Sequence, residues 1–284
     1  VLLVLPFSAL DARLALSLAK YLEHVGPYKS HEVLIATPKD CEAAANEIRE
    51  VIGDQFSKVY THFVHNHRDG WPIGCNLMFH DISYHIWTEV ACKAWYMFEP
   101  DNTPIKPNWL NTLSDEYDRV ARPFMGVIHP SYWLRGRGTS QERFIQDGTH
   151  LIGTSIYPQN APQYSTLWKS IPHATVPWDV YWQWEIVKHA AGTNLIDHQW
   201  RTIRYKRDKK TGEIKGERVP GSTLPYEPYP LRPDAVVHHG CKDLSLMNIM
   251  RGFFASRERW AEPPKVEQEP EAQPELEHQL EPTV

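Results

Sequence analysis

Two hundred and eighty-four residues, 42% hydrophobic and 23% charged, suffice for one large domain or two small ones with a real core. No uncharged apolar run approaches the roughly 20 residues a membrane span needs, and no internal period points to a repeat protein. The net charge of −5 lies mostly in residues 262–284, where seven Glu face one Lys, so the body is near neutral and unlike a general nucleic-acid coat.

Residues 1–5 form an apolar run without a basic leader, cut short by Asp11 and Arg13. They read as a first strand covered on both faces rather than a signal peptide. Leu10, Leu14, Leu18 and Leu22 repeat at i+4 and predict a helix with one apolar stripe, ending near Gly26 and Pro27. A strand over 32–37, a helix over 41–52 and a strand over 59–64 follow. After the loop 70–74, Met78, Ile82, Ile86 and Val90 share one face of a helix. Residues 93–98 read as a fourth strand, stopping at Glu99-Pro100-Asp101-Asn102. Alternating strands and helices through residue 120 predict an α/β fold with a mostly parallel central sheet flanked by helices. Such sheets bind ligands beyond the carboxyl ends of their strands.

Past residue 120 the pattern is mixed. Strands are expected at 124–128, 150–156 and 235–237, and a helix over 180–191 with Val180, Trp184, Val187 and Ala191 on one face. Residues 201–218 carry eight basic residues against three acidic ones and read as an exposed hairpin turning at Lys210-Thr211-Gly212. The Pro/Glu-rich stretch 262–284 reads as a disordered tail behind a single domain over 1–261. Cys41, Cys75, Cys92 and Cys241 are scattered without a Cys-x-x-Cys pair, as expected of buried thiols in a reduced, cytoplasmic protein.

The chemistry is concentrated after the fourth strand. Glu99 and Asp101, one residue apart at a strand end, can converge on one hard cation such as Mg²⁺ or Mn²⁺. The bland account is a turn, for which Pro100, Asp101 and Asn102 are ordinary formers. The context is more specific: Trp95-Tyr96-Met97-Phe98 leads into the acids, and Thr103-Pro104 and Lys106-Pro107-Asn108-Trp109-Leu110 lead out into a helix. This segment resembles the metal-binding Asp-x-Asp region of GT-A-fold glycosyltransferases, with Glu in place of the first Asp. The late segment Val236-Val237-His238-His239-Gly240-Cys241-Lys242 resembles the His-and-Lys segment of the same enzymes.

The resemblance implies a nucleotide-sugar-binding half over 1–120 and an acceptor-binding half over 121–261. It implies a nucleoside-diphosphate sugar donor, UDP-linked as the first choice. Asp101, with Glu99 and either His238 or His239, would hold Mn²⁺ or Mg²⁺, and Lys242 would meet the diphosphate. Pro6, Phe7, Ser8 and Thr37 would flank the nucleoside. Gly74 and Asn76, opening a helix, could turn backbone N–H groups toward a phosphate or sugar. Asp179, between Trp178 and the aromatics Tyr181, Trp182 and Trp184, is the candidate general base, although it is equally a natural helix N-cap. Glu185 is a weaker candidate, and Asp147 reads most simply as a turn residue. Arg201, Arg204, Lys206, Arg207, Lys209 and Lys210 could meet a polyanionic acceptor, with modified DNA in viral enzymes of this build as the analogy. A nucleotidyltransferase would want a Gly-rich basic loop after the first strand, which Pro6-Phe7-Ser8-Ala9-Leu10 does not supply. A non-enzymatic nucleic-acid-binding module would instead rely on the basic hairpin.

Overall fold

The computed structural model of the chain describes residues 1–68, 70–135, 143–199, 202–222 and 231–261, with the backbone alone over 131–135, 143–147 and 257–261. Arg201, the side chain of Asp147 and the tail 262–284 lie outside this description.

The first half alternates as its pattern requires: β1 (Leu2–Pro6), α1 (Ala12–Leu22), β2 (Tyr28–Pro38), α2 (Glu42–Ile52), β3 (Phe56–Val64), α3 (Ile73–Glu89) and β4 (Ala94–Met97). The chain continues through β5 (Asn102–Pro104), α4 (Trp109–Val120), β6 (Phe124–Gly126), β7 (Ile128–Arg135), β8 (Arg143–Leu151) and β9 (Ile156–Pro158). Two single-turn helices follow, α5 (Trp178–Tyr181) and α6 (Gln183–Ile186), then β10 (Ala190–Gly192) and β11 (Ile196–His198). The last elements are β12 (Ile203–Arg207), β13 (Ile214–Arg218), β14 (Val237–His239) and α7 (Ser245–Ala261).

Seven strands form the main sheet in the order β10-β6-β9-β4-β1-β2-β3, all running one way except β9. The period-2 alternation of β1 explains its unbroken apolar sequence. Leu3 and Leu5 face the core shared with α1, α2, α4 and α7, while Leu2 and Val4 face the core shared with α3 and α5. A small second sheet, β11-β14-β5, stands beyond the carboxyl end of β4. Among the described residues, no helix is long and apolar enough to cross a membrane.

Three sequence expectations are corrected. The helix expected over 180–191 is replaced by α5, α6, a short 3₁₀ turn and β10. Trp178 and Trp182 are buried beneath α3, with Trp178 stacked on Phe79 at 3.6 Å, so the buried face is not the one carrying Trp184, which is 65% exposed. The strand expected over 150–156 breaks at 152–155, where Ser155 Oγ donates to the Ile152 carbonyl and Thr154 Oγ1 to the Met97 carbonyl. Finally, Leu10 precedes α1 and is 77% exposed, so the buried stripe starts only inside the helix. None of the four cysteines is in a disulfide, and only Cys41 and Cys241 are buried, while Cys75 is exposed.

Candidate metal centre

Strand β4 is buried along its length and continues into Phe98, whose N–H donates to the Val4 carbonyl. The chain then turns sharply. Asn102 fixes that turn: its backbone N–H and its side-chain amide both donate to the Glu99 carbonyl, and the amide also reaches Thr154 Oγ1. The result is a rigid corner from which Glu99 and Asp101 project together. Asp101 is 3% exposed, whereas the Glu99 side chain is 34% exposed.

The register of the second sheet supplies the third group. β14 runs antiparallel to β5 with His239 opposite Asn102 and His238 opposite Thr103. Successive strand residues point to opposite faces, so only one of the two histidines can meet the acids. It is His239: its Nε2 lies 3.3 Å from Asp101 Oδ1 and 3.4 Å from Glu99 Oε2. His238 points the other way, with Nδ1 3.1 Å from Asp197 Oδ2 and Nε2 3.1 Å from Tyr205 Oη, in a buried Asp–His–Tyr cluster away from the acids.

Ligand atoms of Glu99, Asp101 and His239 all lie within 4.8 Å of one another, the one such grouping among the described residues. Two carboxylates and an imidazole suit a divalent ion of the Mn²⁺ or Mg²⁺ kind, the nitrogen favouring Mn²⁺, and a half-exposed carboxylate leaves room for other ligands. Burial alone would push the His239 imidazole down, but the Asp101 and Glu99 carboxylates outweigh it and raise it to about 10. The buried Asp101 and the partly exposed Glu99 thus together attract a positive charge, from a proton or from a metal. Lys242 follows on the next turn, its Nζ 3.9 Å from Asp101 Oδ2. Gly240 permits that turn: its φ is +110°, and a Cβ there would fall 2.1 Å from the Gln199 carbonyl oxygen.

The centre opens on a cavity of about 390 Å³ at the carboxyl ends of β1 and β4, within the usual size range of ligand sites. Pro6, Phe7, Ser8, Gly74, Glu99 and Lys242 line it, together with Trp71 and Cys75. A shallower hollow of about 510 Å³, lined by Arg49, Asp54 and Lys58, lies by the amino end of β3 and brings no ligating group together.

Two expected donor-pocket residues do not line the cavity. Thr37 is buried and donates through Oγ1 to the Phe7 carbonyl, so it supports the post-β1 segment from behind. Asn76 is buried too, its amide bonded to the Ala174 and Val176 carbonyls and its carbonyl accepting the Trp178 N–H. The N–H groups of Gly74 and Asn76 donate to the Gly70 and Pro72 carbonyls and are turned inward, not toward a ligand.

Asp179 lies in the first turn of α5, its Oδ1 accepting the Val180 N–H. Burial first, then the negative charge of Glu99, raises its carboxyl to about 7. His150 Nε2 stands 3.9 Å from its Oδ2. Burial, helped by His129, lowers His150 to about 4, so that ring is neutral at neutral pH. Glu185 is tied down elsewhere by Ser165 Oγ and Thr166 Oγ1. The aromatic surface expected around Asp179 shrinks to Trp184 and the partly buried Tyr181, since Trp178 and Trp182 belong to the core.

Gly153 was not legible as a site residue. A Cβ there would lie 2.8 Å from Glu99 Oε1 and 3.2 Å from Trp178, and its N–H helps hold the Asp179 carboxylate. Its signal in sequence is only an Ile-Gly-Thr-Ser run inside the strand expected over 150–156. The basic hairpin is present as β12–β13, but Arg204 and Lys206 pair with Glu217, and Lys215 with Glu213. Its strand β12 packs on α7, where Arg207 lies over the Phe253 ring.

No protein-family model and no curated protein matches the chain. Among solved structures, mouse xyloside xylosyltransferase 1 is similar at 9% identity and TM-score 0.48, over 86% of this chain and 99% of that one. The galactosyltransferase LgtC, solved with donor and acceptor sugar analogs, is similar at 10% identity and TM-score 0.46, over 89% of this chain and 96% of that one. A 4-diphosphocytidyl-2C-methyl-D-erythritol synthase from Anaerococcus prevotii follows at 8% identity and TM-score 0.42, over 68% of this chain and 86% of that one. Likenesses this distant carry no weight for activity, which the residues themselves have to support.

Proposed function

We propose that this chain is a metal-dependent glycosyltransferase of the GT-A type, moving a sugar from a nucleoside-diphosphate donor to an acceptor hydroxyl. The observation that carries the reading is the convergence of Glu99, Asp101 and His239 on one point beside a cavity that also holds Lys242. Mn²⁺ or Mg²⁺ bound there would neutralise charge growing on a departing diphosphate. Lys242 supplies a further point charge from the same side. Pro6, Phe7 and Ser8 wall the part of the cavity next to β1, where the nucleoside would lie, with Gly74 among the lining residues. Asp179, close enough to feel the Glu99 charge, would take the acceptor proton in an inverting reaction, whereas a retaining one would not need it. The hairpin does not add DNA to this reading, because Glu213 and Glu217 already compensate part of its charge.

The test is thermal denaturation of the full chain with UDP and other nucleoside diphosphates, with and without Mn²⁺. A ligand at a hundred times its dissociation constant stabilises by about 2.7 kcal/mol. For a chain this long, that raises the midpoint by roughly 5 °C or more. The shift should require both Mn²⁺ and the diphosphate and vanish in Asp101→Asn. No response to any of the diphosphates with Mn²⁺ would overturn the reading.

A further inference from the structure

One imidazole beside the metal centre has no part in the chemistry described so far. β11 and β14 run parallel, in a register that sets Asp197 against His238 and His198 against His239. In-register neighbours on adjacent strands share a face of the sheet, so His198 falls on the His239 side and Asp197 on the His238 side. The His198 and His239 rings stack at 4.9 Å with an interplanar angle of 24°, and their Nδ1 atoms are 2.9 Å apart. His129 stands edge-on to His198 at 5.5 Å.

Two ring nitrogens at that separation share one proton: one donates and the other accepts. The roles follow from the opposite end of His239. Its Nε2 faces Asp101 and Glu99, so ligation of a cation with them requires a lone pair on Nε2 and the ring proton on Nδ1. His198 must then accept at Nδ1 and carry its own proton on Nε2. We propose that His198 is the positioning residue of the metal centre, its Nδ1 accepting the Nδ1–H of His239 and thereby fixing that ring's tautomer and the aim of Nε2. Ligating histidines usually donate this proton to a carboxylate, a carbonyl or water, and losing such a partner typically weakens metal binding. Here a second imidazole fills the role. The inference rests on the cation-dependent reading above and adds a residue to it.

The experiment is Mn²⁺ titration of the full chain, followed by the paramagnetic resonance of free Mn²⁺, beside metal-free thermal denaturation. His198→Phe keeps a ring for stacking but has no acceptor, and should bind Mn²⁺ about 10–100-fold more weakly. His198→Asn places an amide oxygen near the position of Nδ1 and should recover most of that loss. A purely packing role predicts the reverse order, with Phe the milder change and Asn the worse. Wild-type Mn²⁺ affinity in His198→Phe, or equal weakening in both variants, would overturn the role of His198 alone. Absence of Mn²⁺ binding by the unaltered chain would overturn the metal centre itself, and this inference with it.

Discussion

Asp179, the proposed general base, has a carboxyl raised into the neutral range. Burial disfavours its charged form, and the neighbouring Glu99 charge adds to that, bringing it to about 7. A general base works only when deprotonated, so in an inverting reaction kcat/KM should rise as pH climbs through about 7 and then level off. Asp179→Asn preserves shape but cannot take a proton. It should lower kcat by about 10²–10⁴ while leaving the Mn²⁺–diphosphate thermal shift intact. An unchanged rate would remove Asp179 from the chemistry. The same group has a signed effect on folding. Its raised carboxyl favours the native state fully below the unfolded value of 3.8, and that contribution is lost as pH rises through about 7. Asp179→Asn should therefore be more stable than the unaltered chain at pH 8, by an amount on the order of 1–3 kcal/mol.

The elements that deliver the centre are β4, β5 and β14, together with the turn at 152–155 that presses on them. At Gly153 the missing Cβ leaves space for Glu99 Oε1, which a methyl group would approach to 2.8 Å. The Glu99 side chain is long and partly exposed, so it can move aside without disturbing the sheet. Because the buried Trp178 ring, at 3.2 Å, must also give slightly, Gly153→Ala should lower the midpoint of unfolding by a few degrees and raise the Mn²⁺ dissociation constant several-fold, read by the same resonance titration. Unaltered Mn²⁺ affinity would show that Glu99 is not held by this packing. Such relations also explain what sequence could and could not reveal. The four parallel strands and the Glu99/Asp101 corner were legible because each depends on a local pattern: a buried apolar run, then Pro and Asn turning the chain. The choice between His238 and His239 was not, because it depends on the register of β14 against β5, set by residues more than a hundred positions apart. His198 was invisible for the same reason, its place being fixed by pairing with β14. Asn76 misled because its loop looks like a phosphate cradle, while its amide is consumed in holding the 174–178 segment.

At the scale of the molecule, His31, His80, His85 and His150 act on stability in one direction and His239 in the other. Burial lowers His31, His80 and His85, and lowers His150 to about 4 with help from His129, so the folded chain holds these rings neutral. The unfolded chain takes up those protons near pH 6.5, before the native state does, so this stability is full above 6.5 and is lost as pH falls toward about 4. His239 works the other way. Asp101 and Glu99 raise it to about 10 against its burial, so its contribution is full below 6.5 and lost as pH rises through about 10. Each unit of displacement is worth about 1.4 kcal/mol at most, and the acid-side histidines act together. In metal-free buffer the thermal midpoint of Asp179→Asn, which lacks the opposing contribution of that carboxyl, should fall by several degrees on acidification from pH 7 to 4.5. Occupation of the centre by Mn²⁺ must displace the proton on His239 Nε2, so stabilisation by a fixed Mn²⁺ concentration should grow from pH 6 to pH 8. In Asp179→Asn, where the opposing carboxyl contribution is absent, a midpoint that holds level from pH 7 to 4.5 would mean the buried rings are charged in the native state. A Mn²⁺ shift that shrinks with rising pH would place the ion away from His239.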